Sequence, residues 1–179
     1  MVLAWYFRPS DEDQRLPHMK EPNIAVTMDD LEKKTGVKYW MIDPTEYQEC
    51  EMYKTLRSER GYNYEDCIQV TDDKPEFQKM LKQFYEEHLH ADEEVRFVLD
   101  GSGYFDVRDD ADAWIRIQME PGDLIVLPAG IYHRFTLDTK NFIKAVRLFK
   151  GEPVWTAHPR PSDSHPARLA YVSSQNMGS

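Results

Sequence analysis

From Val95 to Phe149 the chain runs as short strand-like segments separated by turn residues, a pattern that leaves few folds open. Val95-Arg96-Phe97-Val98-Leu99 is closed by the Gly101-Ser102-Gly103 turn. Trp114, Arg116 and Gln118 then alternate with Ile115, Ile117 and Met119, the period of a strand with two different faces. Leu124–Leu127 reads as a buried strand, Tyr132–Thr136 as another and Ile143–Phe149 as a third. Short strands at this spacing predict a mainly β architecture, a sandwich or barrel of the jelly-roll kind, with helices at its periphery.

The helices are expected before the strands. Thr27 is placed to cap a short helix with Asp29 and Asp30 in its first turn and Gly36 at its end. Asp43-Pro44 predicts a second helix running through Arg60, with Tyr47, Cys50, Tyr53 and Leu56 on one face and Gly61 as its stop. A third is expected to be capped by Asp72 or Asp73 and started by Pro75, burying Phe77, Met80, Leu81 and Phe84. Residues 1–22, interrupted by Pro9, Pro17 and Pro22, read as an irregular arm. After Gly151 four prolines predict an extended strap or partial disorder. A chain of 179 residues suits one domain. Its parts are the arm and helices over 1–87, a core over about 88–150 and the strap over 151–179.

A net charge of −10, with no compensating Lys/Arg-rich segment, opposes nucleic-acid binding. The acidic pairs Glu86-Glu87 and Asp109-Asp110 are expected to be solvated. No apolar run approaches the roughly 20 residues of a membrane span, and the N-terminus lacks the pattern of an export signal. Cys50 and Cys67 form no disulfide framework, so a reducing compartment is expected, the cytoplasm with the nucleus also open.

Chemistry concentrates in EEHLHADEEVR, residues 86–96, which holds two of only six histidines. On a strand, His88 and His90 point to one face about 6.6–6.8 Å apart and can converge on an ion. On a helix they diverge by about 200°. An alternative pairs His90 with Glu94 at helical spacing, but it strands His88, and the β-favouring run from Val95 argues against it. Glu93 and Glu94 both remain open as the carboxylate; strand parity favours Glu94 and places Arg96 beside it. In GDLIVLPAGIYHRF, residues 122–135, turns bracket one strand and His133 opens the next.

These two segments resemble the motifs of the cupin superfamily, G-x5-H-x-H-x(3,4)-E-x6-G and G-x5-P-x-G-x2-H-x3-N. His88, His90, Glu94, Gly101, Gly122, Pro128, Gly130 and His133 stand in register; Lys82 and Leu137 replace the first glycine and the last asparagine. The resemblance implies a cupin jelly-roll β-barrel with one divalent ion on His88, His90, Glu94 and His133. Three imidazoles and a carboxylate leave two octahedral positions for a bidentate substrate, while ligand type alone does not choose the metal.

FYEEHLHADEEVRFVLDGSGYFDVRD, WIRIQMEPGDLIVLPAGIYHRF, RLFKGEPVWTAHPRP and Ala4-Trp5-Tyr6 are similar to acireductone dioxygenases of the eukaryotic type. That resemblance implies an enzyme of methionine salvage which oxidises an acidic enediol with a methylthioethyl tail, using O2 and Fe(II) or Ni(II). It also implies a monomer, with a moonlighting contact to a membrane-protein cytoplasmic tail as a further partner. Arg96 is the expected catalytic cation for the bound anion, its alternative being a salt bridge to Asp106 or Asp123. Phe84, Phe105 and Phe135 are candidates for the wall of the tail pocket or for ordinary core. Tyr132 is expected in the core, Trp155 as an anchor of the strap, and His18, His158 and His165 as solvated loop residues. Other metal cupin enzymes and a non-enzymatic binding role are the competing functions.

Overall fold

The alternation of apolar and polar side chains from Glu94 onward is realised as antiparallel sheet in the computed structural model, which describes residues 3–177. The chain forms β1 (Leu3–Tyr6), β2 (Ala25–Val26), α1 (Met28–Thr35), β3 (Lys38–Met41), α2 (Glu51–Arg60), β4 (Tyr64–Thr71) and α3 (Phe77–Tyr85). There follow β5 (His88–Leu89), β6 (Glu94–Gly101), β7 (Gly103–Arg108), β8 (Trp114–Met119), β9 (Asp123–Leu127) and β10 (His133–Leu137). β11 (Phe142–Phe149), β12 (His158–Pro159) and α4 (Pro166–Met177) complete it. One sheet has seven strands in the order β12-β5-β10-β7-β8-β1-β2, the other five in the order β3-β9-β6-β11-β4. The two sheets are not closed into a barrel, so the jelly-roll expectation holds as a two-layer sandwich of the cupin kind.

Side-chain parity sets what each sheet face buries. On β6, Val95 and Phe97 turn outward to meet Tyr53 and Leu56 of α2, with Leu124 and Val126 of β9 beside them. Val98 turns the other way and joins Ile125, Leu127, Phe105, Val107, Ile115 and Ile117 between the sheets. Glu94 and Arg96 share the parity of Val98, so the strand that builds the core also carries two charged side chains into its open end.

The flanking segments depart from several expectations. Residues 8–22 form the expected irregular arm, but β1 precedes it: Ala4 pairs with Ile117 and Tyr6 with Ile115, and Trp5 is buried with its indole N–H donating to the Pro17 carbonyl at 2.9 Å. His18 is buried rather than solvated, stacked on Phe7 with ring centroids 4.8 Å apart and bonded to the Asp13 carbonyl at 2.8 Å. α1 follows the predicted signals, with Thr27 Oγ1 accepting from the Asp30 amide and Gly36 in the left-handed region at φ 79°. Asp43, however, accepts from the Thr45 amide and hydroxyl in a local turn, and α2 starts only at Glu51. The Asp72–Glu76 stretch is likewise a turn before α3, because Pro75 disfavours helical backbone at Lys74.

β3 and β4, not among the expected strands, lie at the two edges of the five-stranded sheet, where Val70 alone of their residues is buried. Beyond the strap, α4 forms where disorder was an alternative. Pro166 opens it, as a proline with no amide to satisfy can at a helix start, and Tyr171 docks it by donating to the Thr35 carbonyl at 2.7 Å.

Candidate metal centre

Three elements meet at the open end between the sheets. β5 presents His88 and delivers His90 just beyond its end, β10 begins with His133, which pairs directly with His88, and β6 begins with Glu94. The ring centroids lie 4.9 Å apart for His88 and His90, 4.5 Å for His88 and His133 and 5.3 Å for His90 and His133. Glu94 Oε2 is 2.5 Å from His133 Nε2 and 3.6 Å from His90 Nε2. One ligand atom from each of the four residues lies within 4.8 Å of all the others.

The outer nitrogens explain why the inner ones are free to bind. His88 Nδ1 faces the Glu86 carbonyl at 2.6 Å, His90 Nδ1 the Thr156 carbonyl at 2.8 Å and His133 Nδ1 the Ile131 carbonyl at 2.9 Å. A carbonyl only accepts, so each Nδ1 carries the proton and each Nε2 offers a lone pair. Burial pushes the His88 pKa down to about 4 and that of His90 below its usual value, which keeps these rings neutral. Burial would raise Glu94, but the adjacent Arg96 guanidinium leads the effects that outweigh it and hold the carboxyl well below its ordinary range.

Glu94 Oε2 and His133 Nε2 are buried and complete no hydrogen bond. Two such atoms in contact cost about 1–3 kcal/mol each unless a cation takes them. Three neutral imidazole nitrogens and one carboxylate oxygen are a fitting donor set for a single divalent ion of the first transition row.

Residues 3–157 match the ARD/ARD' family. The chain belongs to that family. Across 178 residues it is 55% identical to an acireductone dioxygenase of Branchiostoma floridae, covering 99% of both chains. Identity to acireductone dioxygenase of Gallus gallus is 54% over 173 residues, with 96% of both chains covered. For acireductone dioxygenase 1 of Vitis vinifera it is 53% over 171 residues, covering 95% of this chain and 90% of that one. The fold is similar to a solved acireductone dioxygenase from Bacillus anthracis with a cadmium ion in its active centre. That likeness has a TM-score of 0.67 at 25% identity and covers 78% of this chain and 94% of the other.

Within this ARD/ARD' member the two open choices of the ligand motif resolve cleanly. Glu93 turns away and is held by Arg60 and by the Tyr62 hydroxyl at 2.8 Å, which leaves Glu94 as the carboxylate in the set. Arg96 lies with its Nη2 3.0 Å from Glu94 Oε1, and donates from Nη1 to the Val95 carbonyl at 2.9 Å. It does not pair with Asp106, which serves Arg116 and Arg134, nor with Asp123, which accepts from the Tyr39 hydroxyl.

Phe135 follows His133 by two residues on the same face of β10 and pairs with Phe105 on β7. Their rings lie 4.9 Å apart, and Phe84 of α3 meets Phe135 edge-on at 6.1 Å. The three pack into the interior beneath the tetrad, whereas the cleft at its mouth is lined by His90, Glu94, Arg96, Phe149, Val154 and Trp155.

Trp155 is therefore more than an anchor. It is exposed, lies 4.0 Å over the Arg147 guanidinium and 5.8 Å from that of Arg96, and leans on Phe149 and Tyr64. Arg147, which faces Arg96 across the β6–β11 pairing and is held by Asp66 at 2.6 and 2.8 Å, drew no attention as a second cation. Tyr132 is fully buried, as its position opposite the ligand face requires. His158 and His165 lie outside the tetrad, half-buried with their rings tilted against each other at 4.6 Å rather than solvated.

Proposed function

We propose that this chain is an acireductone dioxygenase. It takes an acidic enediol with a methylthioethyl tail and O2, and releases formate with the 2-oxo acid when Fe(II) is bound. With Ni(II) the products are formate, carbon monoxide and methylthiopropionate. The observation that carries the reading is the tetrad of His88, His90, Glu94 and His133 with a half-buried guanidinium, Arg96, directly beside its carboxylate.

When bound, the ion supplies a template and a Lewis acid for the two enediol oxygens. The rest is the work of the chain's own side chains. Arg96, whose guanidinium keeps its protons, donates hydrogen bonds to the substrate anion and offsets the repulsion expected from a protein of net charge −10. Phe149, Val154 and Trp155, which line the cleft beside Arg96, offer the apolar surface for the tail, whereas Phe84, Phe105 and Phe135 serve the core. Trp155 stands at the mouth, placed to restrict water around the reacting oxygens. All four ligands come from one chain, so a monomer is a complete catalytic unit.

The test is to strip the protein of metal, reload it separately with Fe(II) and Ni(II), and follow enediol loss, formate and carbon monoxide. Turnover by both forms with carbon monoxide from the nickel form alone is expected. No metal-dependent enediol loss in either form refutes the reading.

A further inference from the structure

The element that carries His88 is only two residues long, so it cannot hold a ligand by itself. On one side β5 pairs with β10 at His88 and His133; on the other it pairs with β12 of the strap, Leu89 with His158 and His88 with Pro159. The same strap supplies the Thr156 carbonyl that orients His90 at 2.8 Å. Both histidines of the first motif therefore depend on a segment about seventy residues further along the chain.

Arg160 fastens that segment. Its amide donates to the Glu87 carbonyl at 3.1 Å, one residue before His88. Its Nη1 donates to Glu87 Oε2 at 2.8 Å and to Asp112 Oδ1 at 2.9 Å, and its Nη2 to Asp112 Oδ2 at 3.0 Å. Arg108 grips the other side of Glu87 through two bonds of 2.9 and 3.0 Å. The Arg160 guanidinium also lies 4.5 Å over the Tyr132 ring, whose hydroxyl donates to Asp163 at 2.6 Å and accepts from the Ser162 amide at 2.7 Å. Glu87, expected to be a solvated charge, is thus half-buried between two guanidiniums. Arg160 lies just past residue 157, where the family match ends.

We propose that Arg160 is a positioning residue for the metal centre: by clasping the strap to Glu87 and Asp112 it keeps β12 against β5 and the Thr156 carbonyl on His90, and so sets how tightly the ion is retained. Partners that orient metal-bound histidines typically change metal affinity by about 10–100-fold when removed. A partly exposed ion pair with no such role affects little beyond a small change in overall stability. This inference rests on the tetrad and not on the substrate assigned to it.

The test uses the full chain loaded with Co(II), whose visible absorption reports the ligand geometry, and measures the rate of metal transfer to excess chelator. Arg160→Ala is expected to release Co(II) about 10–100-fold faster, with an altered absorption band. Its metal-free melting temperature should fall by only about 2–4 °C. Arg160→Lys, which keeps the charge and loses the two-pronged geometry, should lie between it and the parent, and carries the test if the alanine variant does not fold. Tyr171→Phe, which removes the bond from α4 to Thr35, is the comparator for a general loss of stability. Parental release rates in both Arg160 variants, or an acceleration no larger than that of Tyr171→Phe, overturn the proposal.

Discussion

Replacing Glu94 with glutamine keeps the volume of the side chain and removes its charge, which separates the two roles the carboxylate holds. Its oxygens lie 3.0 Å from Arg96 Nη2 and 2.5 Å from His133 Nε2, and only 12% of the side chain and 15% of that of Arg96 is exposed. Without the anion, Arg96 is left as a cation sheltered from water, a loss of about 3–5 kcal/mol when a buried pair is broken from one side. The new amide can donate to His133 Nε2, which has no hydrogen-bond partner, and this restores about 0.5–1.5 kcal/mol. The pair term wins, and the metal-free protein should lose about 2–4 kcal/mol. For a domain of this size that lowers the melting temperature by roughly 4–16 °C. With Arg96→Met already in place there is no stranded cation, so Glu94→Gln should then cost at least about 1 kcal/mol less, a coupling that a double-mutant cycle reads directly. Thermal melting of the four metal-free proteins at neutral pH is the assay. Additive effects, or a loss below about 1 kcal/mol in the single variant, refute the claim that the two charges hold each other in place.

Metal retention and turnover should part company at Arg96. Arg96→Ala is expected to keep close to one ion per chain while enediol turnover falls steeply; loss of the ion from this variant, measured by elemental analysis, would make Arg96 structural. Acid should weaken the metal-free fold in a defined window. The folded-state pKa of His88 is depressed from 6.5 to about 4, so the unfolded chain takes up a proton first as pH falls, and stability is lost between those values, on the order of 3 kcal/mol in all. His90 is shifted in the same direction, and Glu94, also depressed, adds a further loss below about 4.5. Denaturant titrations from pH 8 to 4 should show this decline, and His88→Gln should flatten its upper part; an unchanged slope would mean that His88 is not held neutral by the fold.

The parts of the centre that could be read from residues alone are those in which a side chain does the work. His88, His90 and His133 stood out through spacing and rarity, and Glu94 was separated from Glu93 by strand parity, which the Arg60 and Tyr62 bonds to Glu93 then explain. The buried strands β6, β8, β9, β10 and β11 were legible because one face of each must be apolar, whereas β7 was not, being buried on both faces with Asp106 in its middle. Edge strands are less bound by that rule: β4 sets Asp66 on the same parity as Ile68 and Val70, and Asp66 is used to hold Arg147. The strap was opaque for a different reason. Its contact with His90 is made by a main-chain carbonyl, which every residue type has, so nothing in Thr156 announces it. His18 was misplaced because its burial depends on Phe7 and the Asp13 carbonyl, partners created by the path of the arm and not by local propensity.

The same distinction divides the ligand set itself. Glu94 opens a strand flanked on both sides, by the five-residue β9 and the eight-residue β11, and His133 opens one flanked by β5 and β7. Their backbone positions are set by the sandwich and are shared with its core. His88 lies on a two-residue strand whose outer neighbour is the edge strand β12, and His90 lies beyond that strand, tied by the Gly130 amide donating to its carbonyl at 2.9 Å. Displacing the first pair means breaking the ladders that hold the two sheets, whereas displacing the second means loosening the strap, one turn and the single β5–β10 pairing at His88 and His133. Adjustment of the coordination shell is therefore least costly at His88 and His90, on the side where Trp155 stands at the mouth and where Arg160 holds the strap down.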